Sequence, residues 1–280
     1  MACPAASSFA SNAANTASKG LDSAMEKLST GSRINYAKDD AAGQAISTRL
    51  SAEIQGLAMA SRNAADAQSL IDTAEGGMQE THNVLLRMRE LAVQSANGTL
   101  TDADRQHTDA EFKQLRNEMD RISNNTKWAG QNLLDGRSFS FQVGEGANQT
   151  INVNIGSMNS TNPTSSSFEG VRYDLDNAAL SIELDTVSQS QRAIEAIDIA
   201  IDYVSSERAN LGAVSNRLDS TMSNLDQVAV NLSASQGRIQ DADFAQETGN
   251  LAKNQILQQA ATAMIAQANA SKSSVLTLVR

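Results

Sequence analysis

A chain of 280 residues with only 4% aromatics has too little Phe, Tyr and Trp to fill a compact globular core of its length, although hydrophobic residues reach 40%. A formal net charge of −10 argues against nucleic-acid binding through a basic surface. The lone cysteine, Cys3, excludes an intrachain disulfide, and no run approaches the ~20 apolar residues a bilayer-crossing helix needs.

Residues 1–40 are rich in Ala, Ser and Asn, and Met1 to Gly20 holds no apolar core of a secretory signal, so if the protein leaves the cell it is expected to do so by a route that reads no cleavable leader. Ala14, Leu21 and Leu28 form a thin stripe at seven-residue spacing, which Gly31-Ser32-Arg33-Ile34-Asn35 interrupts. Asp39-Asp40 then favours a helix start, because carboxylates complement the positive end of the helix dipole. Leu50, Leu57, Ala64, Ile71, Met78, Leu85 and Ala92 recur every seven residues, and Ile54, Ala74 and Met88 widen the stripe. This pattern predicts a helix over about 41–96, with Gly76-Gly77 as a weak point and Asn97-Gly98 as its end. Thr101, followed by Asp102 and Asp104, opens a second helix that buries Phe112, Leu115, Met119 and Ile122 and folds back on the first.

The period then changes to two. Phe139, Phe141 and Val143 alternate with polar residues, as do Ile151, Val153 and Ile155, with turn chemistry between them, which predicts a β-hairpin at about 137–156. A polar loop is expected over 156–175. Ile197, Val204, Leu211, Leu218, Leu225 and Leu232 mark another long helix, over about 177–235, with Ile194, Ile201 and Met222 completing its seam. Arg208 and Ser215 are polar interruptions that can fix register. Over 241–280 the stripe (Leu257, Met264, Leu278) is narrow and Ala-rich, so this segment should become helical only against partners. The fold class expected is mainly α: an elongated coiled-coil-like bundle of long helices from both chain ends, with a small β-hairpin and little or no outer domain.

No residue set calls for catalysis, a cofactor or a metal. His82 and His107 have no ligand partner at helical spacing, no H-E-x-x-H or phosphate-binding loop occurs, and Asp39-Asp40 and Asp241/Asp243 read as helix-start charges. In the segment around Arg87, helix geometry points Leu85 and Met88 at the seam, with Arg87, Glu90 and Leu91 partly outward. An outward leucine between charges would suit an interaction hot spot.

Several ordered motifs carry a resemblance. Leu28-Ser29-Thr30-Gly31-Ser32-Arg33-Ile34-Asn35, followed by Ala37-Lys38-Asp39-Asp40-Ala41-Ala42-Gly43, resembles the N-terminal signature of bacterial flagellin. Arg62-Asn63-Ala64-Ala65-Asp66, Thr73-Ala74-Glu75-Gly76 and Arg87-Met88-Arg89-Glu90-Leu91-Ala92-Val93 continue it in order. Asn216-Arg217-Leu218, Arg238-Ile239-Gln240-Asp241-Ala242-Asp243-Phe244-Ala245 and the ending Val275-Leu276-Thr277-Leu278-Val279-Arg280 are similar to the C-terminal half. The likeness leaves out residues 1–20 and the 156–175 loop; flagellins usually begin with several large apolar residues, whereas here Phe9 is the first bulky one after Met1.

The resemblance implies a subunit exported unfolded through the flagellar export apparatus, which polymerises outside the cell into the filament used for swimming. A hook–filament junction protein with flagellin-like ends is the alternative. The segments 1–40 and 241–280 would form the inner filament core, and 41–240 the surrounding rod. Implied partners are further copies of the chain, an export chaperone on the C-terminal segment, hook-associated junction and cap proteins, and host Toll-like receptor 5; no nucleic acid, membrane or cofactor is implied. Carried over by motif, Arg87, Met88, Arg89, Glu90, Leu91 and Glu111 would be subunit or receptor contacts. O-linked glycans would fall on Ser160, Thr161, Thr164, Ser165 and Ser166.

Overall fold

The computed structural model describes residues 3–158 and 183–278. The described residues form five helices: α1 (Cys3–Thr30), α2 (Ala41–Ser95), α3 (Asp102–Asn125), α4 (Val187–Gln240) and α5 (Phe244–Leu278). Between α3 and α4 lie two antiparallel two-stranded pairs, β1 (Lys127–Trp128) with β2 (Gln131–Asn132) and β3 (Ser138–Gln142) with β4 (Thr150–Asn154). The chain divides into two compact units, one of Met1–Gln55 with Ala229–Arg280, the other of Gly56–Val228.

The helix starts follow capping chemistry. Asp40 Oδ1 accepts the Gly43 N–H at 2.9 Å and opens α2, while Asp39 Oδ2 accepts from the Asn35 and Tyr36 amides and closes the turn before it. Thr101 and Asp104 form a capping box on α3, and hydrogen bonding to Thr101 holds the Asp104 carboxyl below its usual range. Thr186 caps α4, so that helix begins at Val187 rather than near 177, and it runs on to Gln240, beyond the expected end near 235. Asp243 Oδ1 accepts the Ala245 and Gln246 amides at the start of α5.

In the unit Gly56–Val228 the seven-residue stripes form the core. Leu57, Ala64, Ile71, Met78, Leu85 and Ala92 are buried from α2, and Ile197, Val204, Leu211, Leu218 and Leu225 from α4. Helix α3 adds Phe112 and Met119, and the strand region adds Leu133, Leu134, Ile151, Val153 and Ile155. Polar contacts fix the antiparallel register of α2 on α4. Ser61 meets Asp226, Gln68 meets Asp219 and Arg89 meets Asp198, each heptad step up α2 being matched by the same step down α4. At the first of the two steps between Gln68 and Arg89, Arg208 reaches Glu75, one helical turn out of line with the rest, because Gly212 occupies the in-line position.

Gly76 and Gly77 do not interrupt α2. They differ in surroundings. A β-carbon at Gly76 would meet nothing within 4 Å, whereas one at Gly77 would sit 2.8 Å from Thr126 Oγ1 and 3.0 Å from Leu134 Cδ1. Thr126 is the C-cap of α3 and Leu134 is fully buried, so neither can retreat. Gly76→Ala should therefore stabilise by about 1 kcal/mol through helix propensity. Gly77→Ala should destabilise, since overpacking of about 1–3 kcal/mol outweighs that gain. Urea unfolding of the two variants, followed by circular dichroism, should move their midpoints in opposite directions.

The hairpin pairs Phe139 with Val153 and Phe141 with Ile151, as the two-residue period predicts. It is tied to α4 through Gly156, whose backbone N–H donates to the Glu207 carboxylate. A β-carbon at Gly156 would collide with Tyr203 Oη. Burial pushes the Tyr203 hydroxyl up to about 12 and raises the Glu207 carboxyl as well. The β1–β2 pair was not legible in the sequence. Its two-residue turn is Ala129-Gly130, both at positive φ (48° and 82°), a geometry for which Asn-Gly is the usual signal.

In the unit Met1–Gln55 with Ala229–Arg280, α1 and α5 pack antiparallel. Lys27 pairs with Glu247 at 3.6 Å, and Gly20 abuts Asn254. The inward face of α1 is Ala10, Ala14, Ala17, Leu21, Ala24 and Leu28, the stripe read from the sequence with alanines filling its second row. The inward face of α5 is a different row from the one expected: Leu251, Asn254, Gln258, Ala261, Ile265 and Ala268. Leu257 and Met264 lie beside that row and are exposed. Where the helices break, Ser32 bridges Asp241, Arg33 N–H donates to Gln240 O, Ala242 N–H donates to Gly31 O, and the Arg33 guanidinium caps Ile239 O at 2.7 Å. Ser47 donates to Gln240 and Gln236 to Ser51, holding the first part of α2 on the last part of α4.

Candidate assembly and recognition surfaces

Near the end of α2 the Arg87 guanidinium forks onto Glu111 of α3, through Nε at 3.0 Å and Nη2 at 2.8 Å, and reaches Glu90 through Nη1 at 2.8 Å. Hydrogen bonding to Glu90, then to Glu111, raises its pKa further. Arg89 is held from the other side by Asp198 of α4 at 2.6 Å. The four charged residues Arg87, Arg89, Glu90 and Glu111 are thus brought to one exposed surface with fixed geometry. Such exposed pairs contribute little to stability, and their effect is to orient the groups.

Two of the expected contact residues are not on this surface. Met88 is fully buried in the seam, and Leu91 is 2% exposed because α3 folds over the face of α2 that single-helix geometry leaves outward. The apolar residues that are exposed here are Leu86 (43%) and Val93 (50%). With Arg89, Glu90 and Gln94 they line an open groove. The signal was present in the sequence: Leu86 and Val93 are themselves seven residues apart and lie on one face. Ser160, Thr161, Thr164, Ser165 and Ser166, the expected glycan acceptors, lie outside the described residues, as do Met1 and Ala2.

The terminal helices present the second surface. Phe9 and Met25 on α1, and Ile256, Leu257 and Met264 on α5, are exposed, with Leu257 at 48% and Met264 at 63%. These large apolar groups stand in water in the single chain, while the contact between the two helices is rich in alanine. Among the described residues no helix is long and apolar enough to cross a membrane.

Two family models cover these elements. The bacterial flagellin N-terminal helical region matches residues 4–138, and the bacterial flagellin C-terminal helical region matches residues 194–279. The flagellin of Bacillus subtilis (strain 168) is 43% identical over 91% of this chain and 91% of its own length. The chain belongs to the bacterial flagellin family. The flagellar filament 33 kDa core protein of Treponema phagedenis is 42% identical, again over 91% of both chains. A crystal structure of Bacillus cereus flagellin, 28% identical, covers 62% of this chain and 94% of its own with a TM-score of 0.47. As a flagellin this chain is a structural subunit of the extracellular filament of the bacterial flagellum, the propeller of swimming motility, and the junction-protein alternative is not favoured. The main-α bundle with a small hairpin is the fold expected from the sequence.

Proposed function

We propose that the flagellin polymerises by burying the outer faces of α1 and α5 against neighbouring copies, so that residues 1–40 and 241–280 form the inner core of the filament and 41–240 the layer around it. The observation that carries this reading is the exposure of large apolar residues on α5: Ile256, Leu257 and Met264 stand in water in the single chain. An alanine seam between α1 and α5 gives little apolar burial per residue, so most of the burial available to these helices comes from assembly. The surface of Arg87, Arg89, Glu90 and Glu111, with Leu86 and Val93, is the lateral contact between subunits and the surface read by Toll-like receptor 5. Met88 and Leu91 support it from beneath.

Export proceeds unfolded through the flagellar export apparatus. A chaperone covers the exposed apolar face of α5 before export, which blocks premature assembly, and junction and cap proteins meet the same ends of the chain. O-glycans occupy Ser160, Thr161, Thr164, Ser165 and Ser166. Removing residues 241–280 tests the assignment: the truncated chain should keep the helical signal of α2–α4 and form no filaments by electron microscopy. Filaments from the truncated chain would remove α5 from the assembly mechanism.

A further inference from the structure

The sequence holds one Asn-Gly pair, Asn97-Gly98, and the fold places it in the exposed turn between α2 and α3. The Thr99 N–H donates to Asn97 Oδ1 at 3.2 Å. The backbone oxygen of Asn97 accepts from Leu100 N–H at 3.3 Å and from Arg105 Nη2 at 3.0 Å. Arg105 is 5% exposed, its Nε donates to Ser95 O at 3.1 Å, and its carboxylate partner is the solvent-exposed Asp102. At Gly98 there is no side chain to shield the backbone nitrogen, and nothing lies within 4 Å of where a β-carbon would be.

We propose that Asn97 is a self-modification site at which the folded subunit converts asparagine to isoaspartate, and that Arg105 directs the outcome. The Gly98 backbone nitrogen gives up its proton to solvent and attacks Asn97 Cγ. The new Cγ–N bond closes a five-membered imide, the carboxamide C–N bond breaks, and ammonia leaves with a proton from solvent. Water then adds to one imide carbonyl, the bond from that carbon to the Gly98 nitrogen breaks, and the nitrogen takes back a proton. Opening at Cγ gives aspartate; opening at the main-chain carbon gives isoaspartate. Water is the only co-reactant.

Each contact favours a step. The Thr99 N–H draws electron density from the Asn97 side-chain carbonyl and makes Cγ the better electrophile. Asn97 and Gly98 are adjacent in an exposed turn, so the attack is intramolecular. The Arg105 guanidinium polarises the main-chain carbonyl in the same way, so water is directed to that carbon. After opening there, the oxygen that Arg105 already holds belongs to a free carboxylate. A neutral acceptor on a buried cation has become a charge-assisted pair. The product carries one more negative charge and one more methylene in the backbone at the end of α2, four residues from Val93.

Ageing the full chain in mildly alkaline buffer at body temperature tests this, with isoaspartate-specific methyl labelling and mapping of the tryptic fragment 90–105. The label should be in that fragment, absent in Asn97→Gln and strongly reduced in Gly98→Ala, a variant that the open space at Gly98 admits. The isoaspartate-to-aspartate ratio should be higher in the folded chain than in the same chain aged in urea. Two results would each overturn the proposal: Asn97 staying intact in the folded chain while it converts in urea, or equal ratios in the two states.

Discussion

Replacing both Leu257 and Met264 with aspartate is expected to abolish polymerisation and leave the subunit's helicity unchanged. Both side chains are exposed in the single chain and border the α1–α5 seam. Aspartates there remain hydrated in the monomer and cost only the propensity difference, a few tenths of a kcal/mol each. In the proposed filament the same positions face neighbouring copies. Burying an unpaired carboxylate in such a contact costs several kcal/mol, and the cost recurs in every subunit. Circular dichroism of the monomer and sedimentation after seeding separate the two effects. Filaments formed by the double variant at the normal rate would show that this face is not an assembly contact.

Phe112→Ala should be the most damaging single change in the unit Gly56–Val228, at about 3–5 kcal/mol. Phe112 is the largest fully buried side chain among the described residues and belongs to one cluster with Leu85, Met88 and Leu91 of α2 and Ile197 of α4. No other aromatic in the core cluster is fully buried, so neighbouring side chains have little spare volume with which to fill the cavity. The loss should also free α3 from α2 and expose Leu91, so the charged surface of Arg87 and Glu111 would lose its fixed geometry. Urea unfolding should register a lower midpoint, and hydrogen exchange should accelerate in α3. A midpoint within experimental error of the parent would contradict the placement of the core.

The long helices were legible because their apolar residues repeat every seven residues without a break, and every residue of the first series from Leu50 to Ala92 is buried. The cap at Thr101 and the alternation in β3 and β4 were legible for the same reason: each is a local rule with a local cause. What escaped was set by partners distant in sequence. Leu91 reads as outward on an isolated helix, and only the return of α3 covers it. In α5 two apolar rows run side by side. Leu257 and Met264 invite the inner placement, yet the row of Leu251, Asn254, Gln258, Ala261 and Ile265 meets α1. Gly20 of α1 faces Asn254, and nothing within α5 itself reveals that match. The β1–β2 pair escaped because each strand is two residues long and its turn uses alanine at positive φ.

The central claim is that the two chain ends line the filament and the two long helices surround them. Seeded assembly of the full chain, followed by helical reconstruction from electron cryomicroscopy, tests it directly. The account predicts a hollow filament whose innermost density is α1 and α5, with Leu257 and Met264 packed against neighbouring copies and α2 and α4 outside them. Absence of filaments, or a filament whose channel is lined by α2 and α4, would contradict it.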